Sequence, residues 1–273
     1  CPGPDEASGD PRSGGPSPQA PAGRPDHGPN RPWESCVWPF VAYMALGSLE
    51  PTPSGGGLAG SLGIPYSAYP AVYALRLAVT LGLVAWQWPN IRRWLGRPAW
   101  WAPVLGILLV IPWVILSQMQ RDAGLAGWLD DLLAAVGLGS GGSGERAAFD
   151  PFAAWGRESA TTWAYLVLRG LGLVAVVPLV EELFLRGFLM RYVIDEEFHT
   201  VPFGTLTAAA AGVCALYAVG THPGEAVAAL GWFGIVSGIT AATRQPIDGI
   251  LAHAGTNLAL GAWVLWSGQW WLV

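Results

Sequence analysis

Runs of apolar residues, each close to the length of a membrane crossing, constrain this chain more than any other feature. Residues 68–88 and 100–118 are two such runs, and residues 162–193 make a third, interrupted by Pro178 and a short charged insertion. Crossing the hydrocarbon core as a helix takes about 20 mostly apolar residues. Lipid offers no partners to backbone N–H and C=O groups, so a crossing segment must satisfy them internally. Composition agrees: charged residues are 12% of the 273, against about 25% in soluble domains. Mean hydropathy is +0.38. Many of the 16 Trp stand at the ends of apolar runs, where an indole suits the headgroup level.

The pattern predicts an all-α fold, a polytopic transmembrane helical bundle of about seven or eight helices. Predicted helices cover 38–49, 68–88, 100–118, 162–177, 179–193, 203–219, 226–243 and 247–266. Residues 51–63 and 89–98 read as loops. Residues 1–35, rich in Pro and Gly, are expected to be a disordered tail. N-terminal membrane helices and an amphipathic linker would fill 36–160, and a core carrying the chemistry 161–273. In the linker, Leu125, Trp128, Leu129, Leu132, Leu133 and Val136 recur at helical spacing away from Asp130 and Asp131, which predicts an interfacial helix. The Gly/Ser run 139–144 is a flexible linker and not a phosphate loop, since no Lys-Ser/Thr follows it. No internal repeat is present.

All 14 basic residues are Arg. Arg24 and Arg31 precede the first predicted helix, and Arg92, Arg93 and Arg97 follow two helices later on the same side, whereas 50–67 has none. This bias predicts a plasma (inner) membrane protein with its N-terminus cytoplasmic. The arginines form no basic stripe, so nucleic acid is excluded as a partner. Cys1, Cys36 and Cys214 show neither metal spacing nor a disulfide pattern, and Cys214 reads as a small packing residue. Without an initiator Met, Cys1 reads as a truncated start rather than a lipidated one, and no cleavable signal peptide is evident.

Charges inside an apolar run are costly in lipid, so each one points to a function. Glu181 and Glu182 with Arg186 form such a group. Glu182 and Arg186 are four apart, acid first, and share a helix face, which predicts a structural ion pair. Glu181 points about 100° away and has no local cation. It is either a hydrogen-bonded core acid or, where water reaches it, a general base. His253 and Asn257 also share a face; they offer donors to an oxyanion, or hydrogen bonds that hold helices together. His222 follows a helix end before Pro223 and suits either an interfacial place or the site. His199, among acids, and His27, in the tail, read as solvated. Glu181, His222 and His253 would also suffice for a zinc with an open position, so metal-dependent and metal-free water activation both stand. The chain has no G-x-S-x-G elbow, no Gly-x-Gly-Asp and no H-E-x-x-H.

Glu181-Glu182-x-x-x-Arg186, then His222, then His253-x-x-x-Asn257, in order and in apolar segments, resemble the three motifs of the CPBP family, the CAAX prenyl endopeptidases and bacteriocin-processing or immunity membrane proteins. Residues 166–191 and the closing Gly268-Gln269-Trp270 resemble its bacterial, exosortase-associated branch. The resemblance implies about eight helices around a cavity open to membrane and cytosol, and hydrolysis of a peptide bond in a membrane-anchored peptide or protein at the bilayer. It implies Glu181 as the residue activating water with His222, His253 and Asn257 as oxyanion donors, and Glu182 with Arg186 as a brace. Where the family has Phe four residues before its second-motif His, this chain has Ala218, with Tyr217 beside it. A non-catalytic membrane scaffold or immunity-type protein of the same family is the competing expectation. A proton-coupled transporter would need inverted repeats, which the sequence lacks.

Overall fold

The computed structural model of the protein describes residues 32–125 and 149–273. The tail with Arg24, His27 and Arg31, nearly all of the expected interfacial helix at 125–138 and the Gly/Ser run lie outside the described residues. Among those residues the structure is helical and without strands. The helices are α1 (Glu34–Gly47), α2 (Gly57–Ser61), α3 (Tyr69–Trp94), α4 (Trp101–Asp122), α5 (Pro151–Trp155), α6 (Ala160–Tyr192), α7 (Ala208–Thr221), α8 (Ala226–Thr243) and α9 (Pro246–Ser267). Among the described residues, and leaving out the five-residue α2 and α5, seven helices build the bundle, in line with the seven or eight that the apolar pattern predicts. Four are long and apolar enough to cross a membrane: the segments Tyr66–Trp94, Trp101–Asp122, Ala160–Tyr192 and Pro223–Thr243. Large apolar side chains such as Leu108, Ile111 and Val167 stand exposed along them, as lipid contact requires. The chain is therefore a membrane protein. The 22-residue α9 falls outside that set, because Asp248, His253, Thr256 and Asn257 dilute its apolar character.

The expected boundaries shift in three places, each for a local reason. The loop predicted at 89–98 is helical as far as Trp94. Pro89 sits on the exposed face, while the next turn buries Ile91 and sets Trp94 against Phe198. The helix predicted at 203–219 begins only at Ala208, where Thr207 accepts a hydrogen bond from the Ala210 N–H as a cap. Gly204 holds φ +75° against the backbone of Thr240, where a Cβ would collide. The helices predicted at 162–177 and 179–193 are one continuous helix running through Pro178.

That continuity depends on a change of register. Residues Gly172–Val176 form a π turn, and a second spans Leu183–Leu189. In a π turn the carbonyl of residue i pairs with the N–H of i+5. For Leu173 that residue is Pro178, which has no N–H. The Asn257 amide on α9 supplies the missing donor, Nδ2 to the Leu173 carbonyl at 2.8 Å.

Two buried clusters share the bundle. One joins α4, α7, α8 and α9 around Trp113, Trp232 and Phe233; the other joins α1, α3 and α6 around Phe40, Tyr73 and Leu77. The hydrogen bonds fix which helix ends lie together. At one end the Ile247 N–H donates to the Leu95 carbonyl, the Ala99 N–H donates to Asp248 Oδ1, and Arg244 Nη1 donates to the Phe203 carbonyl. At the other, Gln118 pairs with Gln269, Gln120 donates to the Pro223 and Gly224 carbonyls, and Arg76 pairs with Glu50. Arg92, Arg93 and Arg97 therefore belong to the first end, with Arg244.

Candidate active site

A cavity of about 290 Å³ lies in the half of the bundle toward the second end, where the first and second clusters meet. Its wall includes Glu181 from α6, His222 from the end of α7, and His253 and Asn257 from α9. Three separate helix regions, up to 76 residues apart in sequence between Glu181 and Asn257, thus converge on one space. Glu182 and Arg186 are absent from that wall.

The neighbouring carboxylates are treated differently by the fold. Glu182 is 3% exposed and is gripped by Arg186, whose Nη1 donates to both carboxylate oxygens at 2.6 Å. Arg186 is itself held by the Phe233 carbonyl at 2.9 Å and Ser237 Oγ at 3.2 Å, both on α8. The ion pair therefore fastens α6 to α8 with hydrogen bonds on both partners, the condition under which a buried charge is tolerable. Glu181, on the adjacent face, turns to the cavity.

Both histidines are oriented through Nδ1. On α9, His253 Nδ1 lies 3.2 Å from Glu182 Oε1; a carboxylate bound to arginine can only accept, so Nδ1 carries the proton. The His253 ring is packed edge-on to Trp232 at 4.6 Å between centroids. His222 Nδ1 lies 2.8 Å from Thr221 Oγ1, and that hydroxyl already gives its one proton to the Tyr217 carbonyl at 2.8 Å. Nδ1 of His222 must therefore be the donor as well. In their neutral forms both rings keep the lone pair on Nε2. Trp113 and Phe233 flank the His222 ring, each 5.5 Å away.

Asn257 spends one amide hydrogen on the π turn at Leu173, so its place is locked and one Nδ2 hydrogen and Oδ1 remain for a ligand. A zinc fits poorly. Among the described residues no three His, Cys, Asp or Glu side chains come together in a metal-holding group.

Sequence reasoning missed several parts of this site. Thr256 donates to the Gly106 carbonyl at 2.8 Å and accepts from Trp232 Nε1 at 3.0 Å, which ties α9 to α4 and α8 beside His253. Its spacing one residue before Asn257 was available as a signal, but a Thr in an apolar helix is common enough to pass unnoticed. Tyr217 packs its ring between Phe184 and Phe233, and among the described residues its buried hydroxyl has no hydrogen-bond partner. Ala218, at the position where the family resemblance expects Phe, is fully buried in the first cluster. The other wall of the cavity, with Tyr43, Glu50, Tyr69, Tyr73, Arg76 and Arg169, was missed entirely.

No curated protein and no solved structure matches the chain. A family model does, across the region that begins on α6 and ends on α9 and contains all the residues discussed from Glu181 to Asn257. Over residues 162–259 the chain matches the Rce1-like family, described as type II CAAX prenyl endopeptidase Rce1-like.

Proposed function

We propose that the protein is an intramembrane endopeptidase that hydrolyses a peptide bond of a membrane-anchored peptide or protein. The observation that carries this reading is the separation of the two carboxylates: Glu182 is consumed by Arg186 and His253, while Glu181 lines a cavity with His222, His253 and Asn257. In the proposed cycle the Glu181 carboxylate takes a proton from water, and the resulting hydroxide attacks the scissile carbonyl carbon. The carbonyl π electrons move to oxygen, where the remaining Asn257 amide hydrogen donates to the oxyanion. Collapse of the adduct restores the carbonyl and expels the amine, which leaves with the proton from Glu181. His222, with its lone pair at Nε2, assists as a proton acceptor.

One contact favours a second assignment. With Nδ1 donating to Glu182, a neutral His253 presents a base at Nε2 rather than an oxyanion donor. A carboxylate that orients a histidine base is a recurrent catalytic pairing. In that version His253 takes the proton from water, and Glu182 positions it.

The membrane setting in this reading is a plasma membrane, crossed several times, with the arginine-bearing end facing the cytosol. The cavity lies toward the opposite end. Two sequence expectations therefore diverge, since the family resemblance expects the cavity to communicate with the cytosol.

The test is proteolysis of host membrane proteins in liposomes, with new peptide termini read by mass spectrometry. Wild type is expected to generate termini, insensitive to chelator, and Glu181→Gln to generate none. If Glu181→Gln retains cleavage and His253→Gln abolishes it, the base is His253. If wild type and both variants give identical termini, the enzymatic reading falls and a scaffold or immunity-type role takes its place.

A further inference from the structure

The cavity has a second charged end that the hydrolytic residues do not use. Arg76 and Arg169 both line it. Arg76 is neutralised: its Nη1 meets Glu50 Oε1 at 2.8 Å and its Nε donates to the Tyr43 carbonyl at 2.8 Å. Arg169 is held in place without being neutralised. Its Nη1 donates to Tyr69 Oη at 3.0 Å, and its guanidinium lies over the Tyr73 ring, 4.7 Å from the centroid. Among the described residues no carboxylate stands within ion-pair distance of it. Tyr69 accepts from Arg169 and so keeps its own hydroxyl proton to give. A fixed guanidinium with donors to spare, a phenol proton beside it, and low-dielectric walls make a receptor for one carboxylate.

From this geometry we infer that Arg169 and Tyr69 form a subsite for a carboxylate of the peptide substrate, either its free C-terminus or an acidic side chain. The inference rests on the peptidase reading and gives it a direction and a length. Arg169 precedes Glu181 by about three turns of α6, an axial rise of about 18 Å at 1.5 Å per residue. An extended peptide covers about 3.4 Å per residue. With both side chains reaching inward, at most about five residues separate the anchored carboxylate from the bond that is cut. Cleavage then releases a short fragment whose carboxylate was held at Arg169.

Binding can be tested apart from turnover. The probe is a pool of fluorescein-labelled Ala/Leu/Val pentapeptides in three forms: free acid, C-terminal amide, and amide with Asp as last residue. Each is titrated by anisotropy into the full chain in nanodiscs, carrying Glu181→Gln together with His253→Gln so that neither candidate base consumes the probe. A carboxylate bound through charge-assisted hydrogen bonds is expected to improve affinity at least about tenfold over the neutral amide. Preference for the free acid alone assigns the C-terminus; equal gain from Asp assigns the side chain. Arg169→Met is expected to erase the preference and Arg169→Lys to keep part of it. Should Arg169→Met fail to fold, Tyr69→Phe, which removes only the hydroxyl, is expected to reduce the preference several-fold. Equal binding of acid and amide, or a preference that survives Arg169→Met, overturns the subsite. A carboxylate preference in a protein that cleaves nothing removes the peptidase reading and leaves the subsite standing. Cleavage without any preference does the reverse.

Discussion

The two walls of the cavity are built by opposite means. Where α4 meets α9, small residues let backbones touch. A Cβ on Gly106 would collide with the Ala252 carbonyl, and one on Gly255 with the Pro103 carbonyl. Thr256 then bonds across the gap to the Gly106 carbonyl. Where α3 meets α6 and α1, aromatic rings do the packing. Phe40 stacks on Phe184 with centroids 3.9 Å apart, Tyr69 on Phe149 at 5.3 Å, and Tyr73 meets Tyr165 edge-on at 6.3 Å. Lipid is as apolar as either wall, so neither is driven together by water exclusion alone; close backbone approach and interhelical hydrogen bonds supply the attraction in the first. The difference places the chemistry. Backbone-to-backbone contact leaves His253 and Asn257 little freedom, whereas a ring-lined wall can adapt to a bound chain.

Substitutions can break or sharpen that contrast. The largest effect is expected from Arg186→Met, which leaves Glu182 buried beside His253 without its cation. Losing one member of a buried pair costs about 3–5 kcal/mol, read as a drop in unfolding free energy in detergent. A loss below about 1 kcal/mol would show that water reaches this pair and that the rigid wall is less rigid than described. Thr256→Val comes next. It strands Trp232 Nε1 and weakens the α4–α9 contact, an expected loss of about 1–3 kcal/mol, accompanied by lower activity through His253. Unchanged stability would mean that glycine contacts alone set this seam. Tyr217→Phe should be smallest in stability, because the deleted hydroxyl is buried and among the described residues has no hydrogen-bond partner. An unchanged or raised melting temperature is expected, and a fall in cleavage without a fall in stability would bring Tyr217 into the hydrolytic machinery.

The sequence was most readable where physics is local. The i, i+4 relation of Glu182 and Arg186 needs only helix geometry, and the hydrogen-bonded ion pair follows from it. The boundaries of α8 coincide with the apolar run 226–243. What stayed hidden depended on partners far along the chain. Asn257 satisfies a carbonyl left without a donor by a proline 79 residues away, between Pro178 and Asn257, and nothing near Asn257 signals it. Glu182 reaches His253 as well as Arg186, which no helix-face argument could reveal. Arg169 and Arg76 each stand alone in an apolar run, with nothing nearby in sequence to link them. Their common purpose appears only when α3 and α6 lie side by side.

The position of the cavity toward one end of the bundle has a consequence for timing. Arg92, Arg93, Arg97 and Arg244 crowd the opposite end. In the orientation proposed above, with that end on the cytosolic side, a polypeptide still attached to the ribosome would have no access to Glu181. Substrates of the proposed peptidase would then arrive only after translocation, and the excised fragment would be discharged outside the cell rather than returned to the cytosolic amino-acid pool. Processing would then act as a late checkpoint in export, after the anchor has been threaded and before the mature protein moves on.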